Sequence, residues 1–195
     1  MPVRFMFDSD KAVAAVTLFA SKGLPETTKG KICKLLFLAD HLHVVRYGRP
    51  ITGDWFAALP HGPVPSETLD ALDAVEMGVG NTDAARKLAP ALTVDHRYQF
   101  PRLSADQAIE LDSLSRSDMK VIEEIATKYG QMSFRQLRSL THEFDAYKNA
   151  WERRPSSRMN FEDFFGDEEA EAIEGVKDEM IENAELSEAL TAVDC

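Results

Sequence analysis

Five side chains with acid, base or ligand chemistry lie close together in the first third of the chain: Asp40, His41, His43, Asp54 and His61. Histidines and carboxylates at helical spacing are the raw material of a metal site, and the spacing argues against one. At ~100° per residue, His41 and His43 fall about 200° apart on a helix, whereas metal-binding histidines four residues apart share a face. Asp40 with His61 could still form a carboxylate and imidazole pair for hydrolysis, yet no serine or cysteine stands in a strand-turn-helix setting that would make it a nucleophile. Lys34 and Asp40 fall about 240° apart at ~100° per residue, so each needs a partner elsewhere. The reading set against a ligand role is structural, with Asp40 binding backbone groups of the His61-Gly62-Pro63-Val64 loop and locking it.

These residues need elements to hold them, and the pattern of apolar residues supplies mostly helices. Asp8 or Ser9 caps a first helix with Ala12, Ala15, Val16, Phe19 and Ala20 on one face, ended by Gly23 and Pro25. Thr27 or Thr28 caps a second, in which Ile32, Leu35, Leu36, Ala39 and Leu42 form a stripe while Cys33, Phe37, Leu38, Val44 and Val45 cover much of the rest. A helix apolar nearly all round belongs at the centre. It stops at Tyr47-Gly48, before Pro50. The stretch from Ile51 to Leu59 reads as a short strand, followed by a stiff loop at Pro60, Gly62, Pro63 and Pro65. Ser66 then caps a third helix with Leu69, Leu72 and Val75. Leu92, Val94, His96, Tyr98 and Phe100 alternate as a strand should, and the two strands could pair into a ribbon.

Ser104 with Gln107 and Ser133 with Gln136 both have the spacing of a capping box, which predicts helix starts at both. Val121, Ile122, Ile125, Ala126 and Tyr129 mark a helix between them, closed by Gly130. After Ser133 one run of apolar positions reaches Trp151. The stretch from Ser117 to Glu143 has the outline of a helix-turn-helix, with Arg135 and Arg138 on its second helix. Glu123, Glu124, Glu143 and Asp145 flank those arginines, so an αα-hairpin in the core is preferred to a DNA reader.

The bulk numbers set the class. A chain of 195 residues with 44% hydrophobic content supplies one core plus an extension. No run is apolar enough to span a bilayer and no secretory signal opens the sequence, which leads us to expect a cytoplasmic protein. The two cysteines, Cys33 and Cys195, make neither a disulfide framework nor a spaced metal set. No phosphate-binding glycine loop is present, so no cofactor is expected. The net charge of −11 is lopsided: from position 161 on, thirteen Asp and Glu face only Lys177, while 20 acids and 21 bases share the rest. Within that acidic segment Ile173, Val176, Met180, Ile181 and Ala184 share a helical face. The stripe suits a helix that docks on a partner, and the charge suits a basic surface on it.

The expected fold is therefore mainly α. It is a compact helical bundle with a short two-stranded β ribbon over residues 1–158, plus an acidic extension over 159–195 that is helical or partly disordered.

The segment Lys34-Leu35-Leu36-Phe37-Leu38-Ala39-Asp40, then Arg46-Tyr47-Gly48-Arg49-Pro50-Ile51-Thr52-Gly53-Asp54, Ala57 and His61-Gly62-Pro63-Val64-Pro65 resembles the signature of the SocA-like antitoxin family, the Panacea domain. The resemblance covers about residues 10–150, with the signature within 31–66. It implies a mostly helical bacterial or phage antitoxin that neutralises a toxin encoded beside it by direct contact. Some members are linked to delivery of the toxin to an ATP-dependent protease. It also implies signature roles for Lys34, Asp40, Tyr47, Gly48, Asp54, His61, Gly62, Pro63 and Val64, and brings no catalytic residue with it. The expected function is protein binding rather than catalysis, with Ile173, Val176, Met180 and Ile181 as candidate partner contacts. The other readings are a DNA-binding regulator using Ser133 to His142 and a hydrolase built on Asp40 and His61.

Overall fold

The computed structural model describes residues 2–107, 111–166 and 170–193, and the side chains of 2–107, 111–166 and 175–190. Among these the fold is mainly α, with eight α-helices and two short β hairpins. No described helix is long and apolar enough to cross a membrane.

Helix α1 (Ser9–Ser21) starts where the Asp8 carboxylate accepts the Lys11 N–H, and α2 (Lys29–Tyr47) where the Thr28 hydroxyl accepts that of Lys31. Each cap satisfies a donor that has no partner inside the helix. As the apolar residues predict, α2 is the central element, with Ile32, Cys33, Leu35, Leu36, Phe37 and Ala39 buried on several faces. It ends at Gly48, whose φ of 62° is the left-handed conformation that a side chain resists.

The strands differ from the sequence reading. Strand β1 (Phe56–Leu59) pairs with β2 (Gly62–Pro65), the stretch read as a loop, in the register Phe56↔Pro65 to Leu59↔Gly62. Both strands of a two-stranded ribbon are edges, where proline is tolerated. The other alternating segment forms its own hairpin, β3 (Thr93–Asp95) with β4 (Arg102–Ser104), and His96 to Phe100 lie outside the strands.

Helix α3 (Ser66–Met77) begins after Pro65 with no capping side chain from its own flank, so Ser66 is not its cap. Helix α4 (Asp83–Leu88) follows. The Ser104 and Gln107 spacing starts no helix in the described residues: Ser104 ends β4, and flanking amides of Leu103 and Ala105 donate to the carbonyls of Thr27 and Ala20. Tertiary hydrogen bonds override the local signal there. The capping box that does form is Ser115 with Asp118, opening α5 (Arg116–Tyr129), and Ser133 with Gln136 opens α6 (Phe134–Thr141) as expected. The apolar run from Ser133 is two helices, with α7 (Asp145–Arg153) after a turn that places Phe144 against Phe37 and His41 at ring distances of 5.3 and 4.5 Å.

A 3₁₀ turn at Phe161–Phe165 inserts Phe161, Phe164 and Phe165 into the core. The acidic extension is then α8 (Ala170–Val193), a helix packed along α2. Its Met180 and Ala184 are buried.

Candidate interaction site

Several of the signature residues hold the chain in place. Asp40, buried in α2, accepts the Ile51 N–H at 2.7 Å, the Thr52 N–H at 3.3 Å and the Thr52 hydroxyl at 2.8 Å. It therefore locks the turn after α2, not the His61 to Val64 loop, as the sequence reading had it. Lys34 holds that loop instead, its ammonium donating to the Pro63 carbonyl at 2.7 Å. Asp54 supplies the cap that α3 lacks, accepting the Glu67 and Thr68 N–H groups at 3.0 and 2.8 Å and the Thr68 hydroxyl at 2.8 Å. Burial pushes the carboxyls of both Asp40 and Asp54 up to about 6, opposed by these same donors.

Gly62, Pro63 and Val64 are buried in β2, while His61 is exposed at the hairpin tip. A Cβ on Gly62, whose φ is 92°, would lie 3.0 Å from Lys34 Cε. The glycine thus lets β2 pass close over the lysine that holds it. Tyr47 is half-buried against the His43 ring at 4.6 Å, and the Tyr47 and Gly48 carbonyls accept from the Asn183 amide on α8.

The histidines part company. His41 is enclosed by Phe37, Phe144 and Phe164, and burial pulls its imidazole down to about 4. His43 points the other way, with Nε2 at 2.9 Å from Asp118 and 3.1 Å from the Ser117 hydroxyl, and Nδ1 at 2.7 Å from the Arg49 carbonyl. In a hydrolytic triad the carboxylate and the nucleophile sit on opposite ring nitrogens. Here Ser117 and Asp118 share one, and a carbonyl takes the other. Burial alone would raise the Asp118 carboxyl; the His43 ring, the Arg49 guanidinium at 2.8 Å and the Ser115 N–H outweigh it and hold it well below the usual carboxylate range. Asp40 and His61 are not brought together: Asp40 is spent on Ile51 and Thr52, and His61 is at the tip. Among the described residues no three His, Cys, Asp or Glu side chains could hold a metal ion.

Sequence reasoning missed several of these ties. Lys31, wholly buried, donates to the Pro25 and Gly130 carbonyls and so joins the α1–α2 loop to the end of α5. A second lysine three residues before Lys34 in an apolar stripe was the available signal. No spacing rule could have paired His43 with Asp118, 75 residues further on.

The stripe on α8 is divided. Met180 is buried at Gly48, Val176 is half-buried and Ile181 is 47% exposed; the side chain of Ile173 lies outside the described residues. Leu186 and Leu190 add exposed apolar surface among the acids.

One large concavity opens at the other end of α2. A cleft of about 1100 Å³ lies between the start of α2, the β1–β2 hairpin, the loop before β4 and the start of α6. Its walls are largely apolar, and Lys34, Arg135 and Arg138, together with Lys29, Arg102, Glu26 and Glu76, border it.

Neither a search of curated proteins nor one of solved structures returned a match. A family model does match: Antitoxin SocA-like, Panacea domain, over residues 32–152. That span holds the Lys34, Asp40 and Asp54 clamps and takes up more than half of the chain, which belongs to this antitoxin-like family.

Proposed function

We propose that this protein is a cytoplasmic antitoxin that binds a toxin protein directly and keeps it inactive, working as a binder and not a catalyst. The observation that carries the reading is the family match across the framework built on α2. The chemistry of the frame agrees with it: the buried carboxylates and the His43 pair are consumed by structural bonds, which leaves surface shape and charge for recognition. The acidic helix α8 would cover a basic face of the toxin, with Ile181, Leu186 and Leu190 as apolar contacts among exposed carboxylates.

Truncation is a poor test of this role, because a chain ending at Asn160 would lose Phe161, Phe164 and Phe165 from the core. Charge reversal at the exposed acids Asp178, Glu179, Glu182 and Glu185 leaves the buried side of α8 intact. Co-expressed with the product of the adjacent gene, the quadruple Lys variant should lose protection from toxicity by tenfold or more in plated survivors. Unchanged protection would remove α8 from the mechanism. Following toxin half-life in the same cells separates occlusion, which leaves the half-life unchanged or longer, from delivery to an ATP-dependent protease, which shortens it.

A further inference from the structure

The cleft at the start of α2 shares Lys34, His61 and Val64 with the framework, and its lining is mixed: apolar walls, a side where the carboxylates Glu26 and Glu76 stand and Lys29 already pairs with Glu76 at 2.6 Å, and the cations Lys34, Arg135 and Arg138. Lys34, Arg135 and Arg138 have no carboxylate partner among the described residues. Lys34 is 1% exposed and its ammonium, with three donors to place, donates to the Pro63 carbonyl and lies 5.9 Å from the centre of the Phe134 ring. Burial and the nearby Arg138 guanidinium pull it down to about 8. Such a group gains from an arriving anion, which repays desolvation already incurred. Arg138 donates to the Pro60 carbonyl at 3.2 Å, and Arg135 is exposed and makes no bond among the described residues.

Phe134, half-buried with the Lys34 ammonium 5.9 Å from its ring centre, and Phe100, 68% exposed on the loop before β4, supply apolar lining. An exposed phenylalanine facing an apolar hollow is a surface that lacks its cover. The hollow, about 1100 Å³, stands at the top of the ~300 to 1,000 Å³ of ordinary small-ligand pockets and has room for a short length of polypeptide. The chain's own acidic helix does not fill it. α8 is tied to Tyr47 and Gly48 at the far end of α2, a helix of 19 residues, and at ~1.5 Å per residue that end is nearly 30 Å away. The carboxylates Glu26 and Glu76 in the lining and the chain's net charge of −11 disfavour a polyanion.

We propose that this cleft receives a short apolar segment of the toxin that carries an aspartate or glutamate, its carboxylate seated by Arg135 and Arg138 above Lys34 and its apolar neighbours against Phe134 and Phe100. The inference rests on the antitoxin reading and names the surface and the partner chemistry that reading leaves open. The toxin is then gripped at two places, by a basic apolar cleft at one end of α2 and by an acidic helix at the other.

The probe is the purified product of the adjacent gene, and the variants are R135E/R138E, Arg135→Glu alone and Phe100→Ala. Arg135 and Phe100 make no hydrogen bond, ion pair or ring contact among the described residues, so their loss leaves the fold intact, as circular dichroism will verify. Calorimetry should give a Kd raised tenfold or more for R135E/R138E and several-fold for each single variant. A photoreactive benzoylphenylalanine in place of Phe100 should crosslink to one toxin segment containing Asp or Glu among apolar residues. Alanine at that acid should reproduce the loss. Wild-type binding with unchanged R135E/R138E affinity, and crosslinks only from a probe at Ile181, would overturn the cleft and leave the antitoxin reading standing. If the wild-type chain fails to bind the adjacent gene product at all, both readings fall. A single-stranded oligonucleotide shifted at low salt by the wild type but not by R135E/R138E, with toxin binding unaltered, would reassign the cleft to nucleic acid and overturn the proposal.

Discussion

At the scale of single residues, the ionisable groups packed against the core have opposite pH signatures. His41 sits among three phenylalanine rings with its pKa pulled down to about 4, below the ~6.5 of an unfolded histidine. The unfolded chain takes up the proton first, so the stability His41 contributes is present above about pH 6.5 and is lost as pH falls toward 4. Asp40 and Asp54 run the other way. Their folded values, raised to about 6, lie above the ~3.9 of the unfolded chain, so their contribution is present at low pH and is lost as pH rises through 6. The two effects oppose each other between pH 4 and 6. Replacing His41 with phenylalanine removes one of them: relative to wild type, H41F should gain on the order of 1 to 3 kcal/mol in urea unfolding between pH 7 and pH 4.5. An identical pH profile for the two proteins would show that the ring is not held neutral by its cage.

At the scale of elements, Gly48 is where the signature meets the acidic helix. Its φ of 62° already disfavours a side chain, and an added Cβ would lie 2.9 Å from the Met180 backbone nitrogen and 3.0 Å from the Val176 carbonyl oxygen. Gly78 has a similar φ of 72° and nothing within 4 Å. The pair separates backbone strain from crowding. Gly78→Ala should cost about 1 kcal/mol, the price of the left-handed conformation, and Gly48→Ala about 2 to 3 kcal/mol, with faster amide exchange confined to α8. Equal costs would mean that α8 does not rest on Gly48 in solution. The helices were readable at this scale because 3.6-residue periodicity and caps are local: the starts at Thr28 and Ser133, the stop at Gly48 and the central place of α2 all follow from neighbours in sequence. Strand pairing was not. Alternation shows that Val94 belongs in a strand but not that its partner is Leu103, and two prolines concealed β2 altogether. The cleft was invisible for the same reason, since it is a hollow formed by segments that are distant in sequence. The clamps were half visible: the chemistry of Lys34 and Asp40 demanded partners, and only folding showed which loop each one held.

At the scale of the whole molecule, charge is sorted by position. The residues from 161 onward hold thirteen of the 33 acids, against a nearly balanced remainder. An acidic edge speeds encounter with a basic partner more than it tightens the final complex. Raising salt from about 50 to 500 mM, which shortens the screening length several-fold, should slow association by on the order of tenfold while changing dissociation little. Stopped-flow measurement against the adjacent gene product checks this; a rate indifferent to salt would show that the acids serve solubility alone.

The position of α2 also governs how the molecule comes apart. Helices α1, α3, α5, α6 and α8, the hairpin strand β2 and the 3₁₀ turn all pack on it. Each of those contacts needs α2 in place, so a protease that draws out a segment of α2 removes the support of all of them at once. Loss of the fold is therefore abrupt, a switch rather than a slow fade.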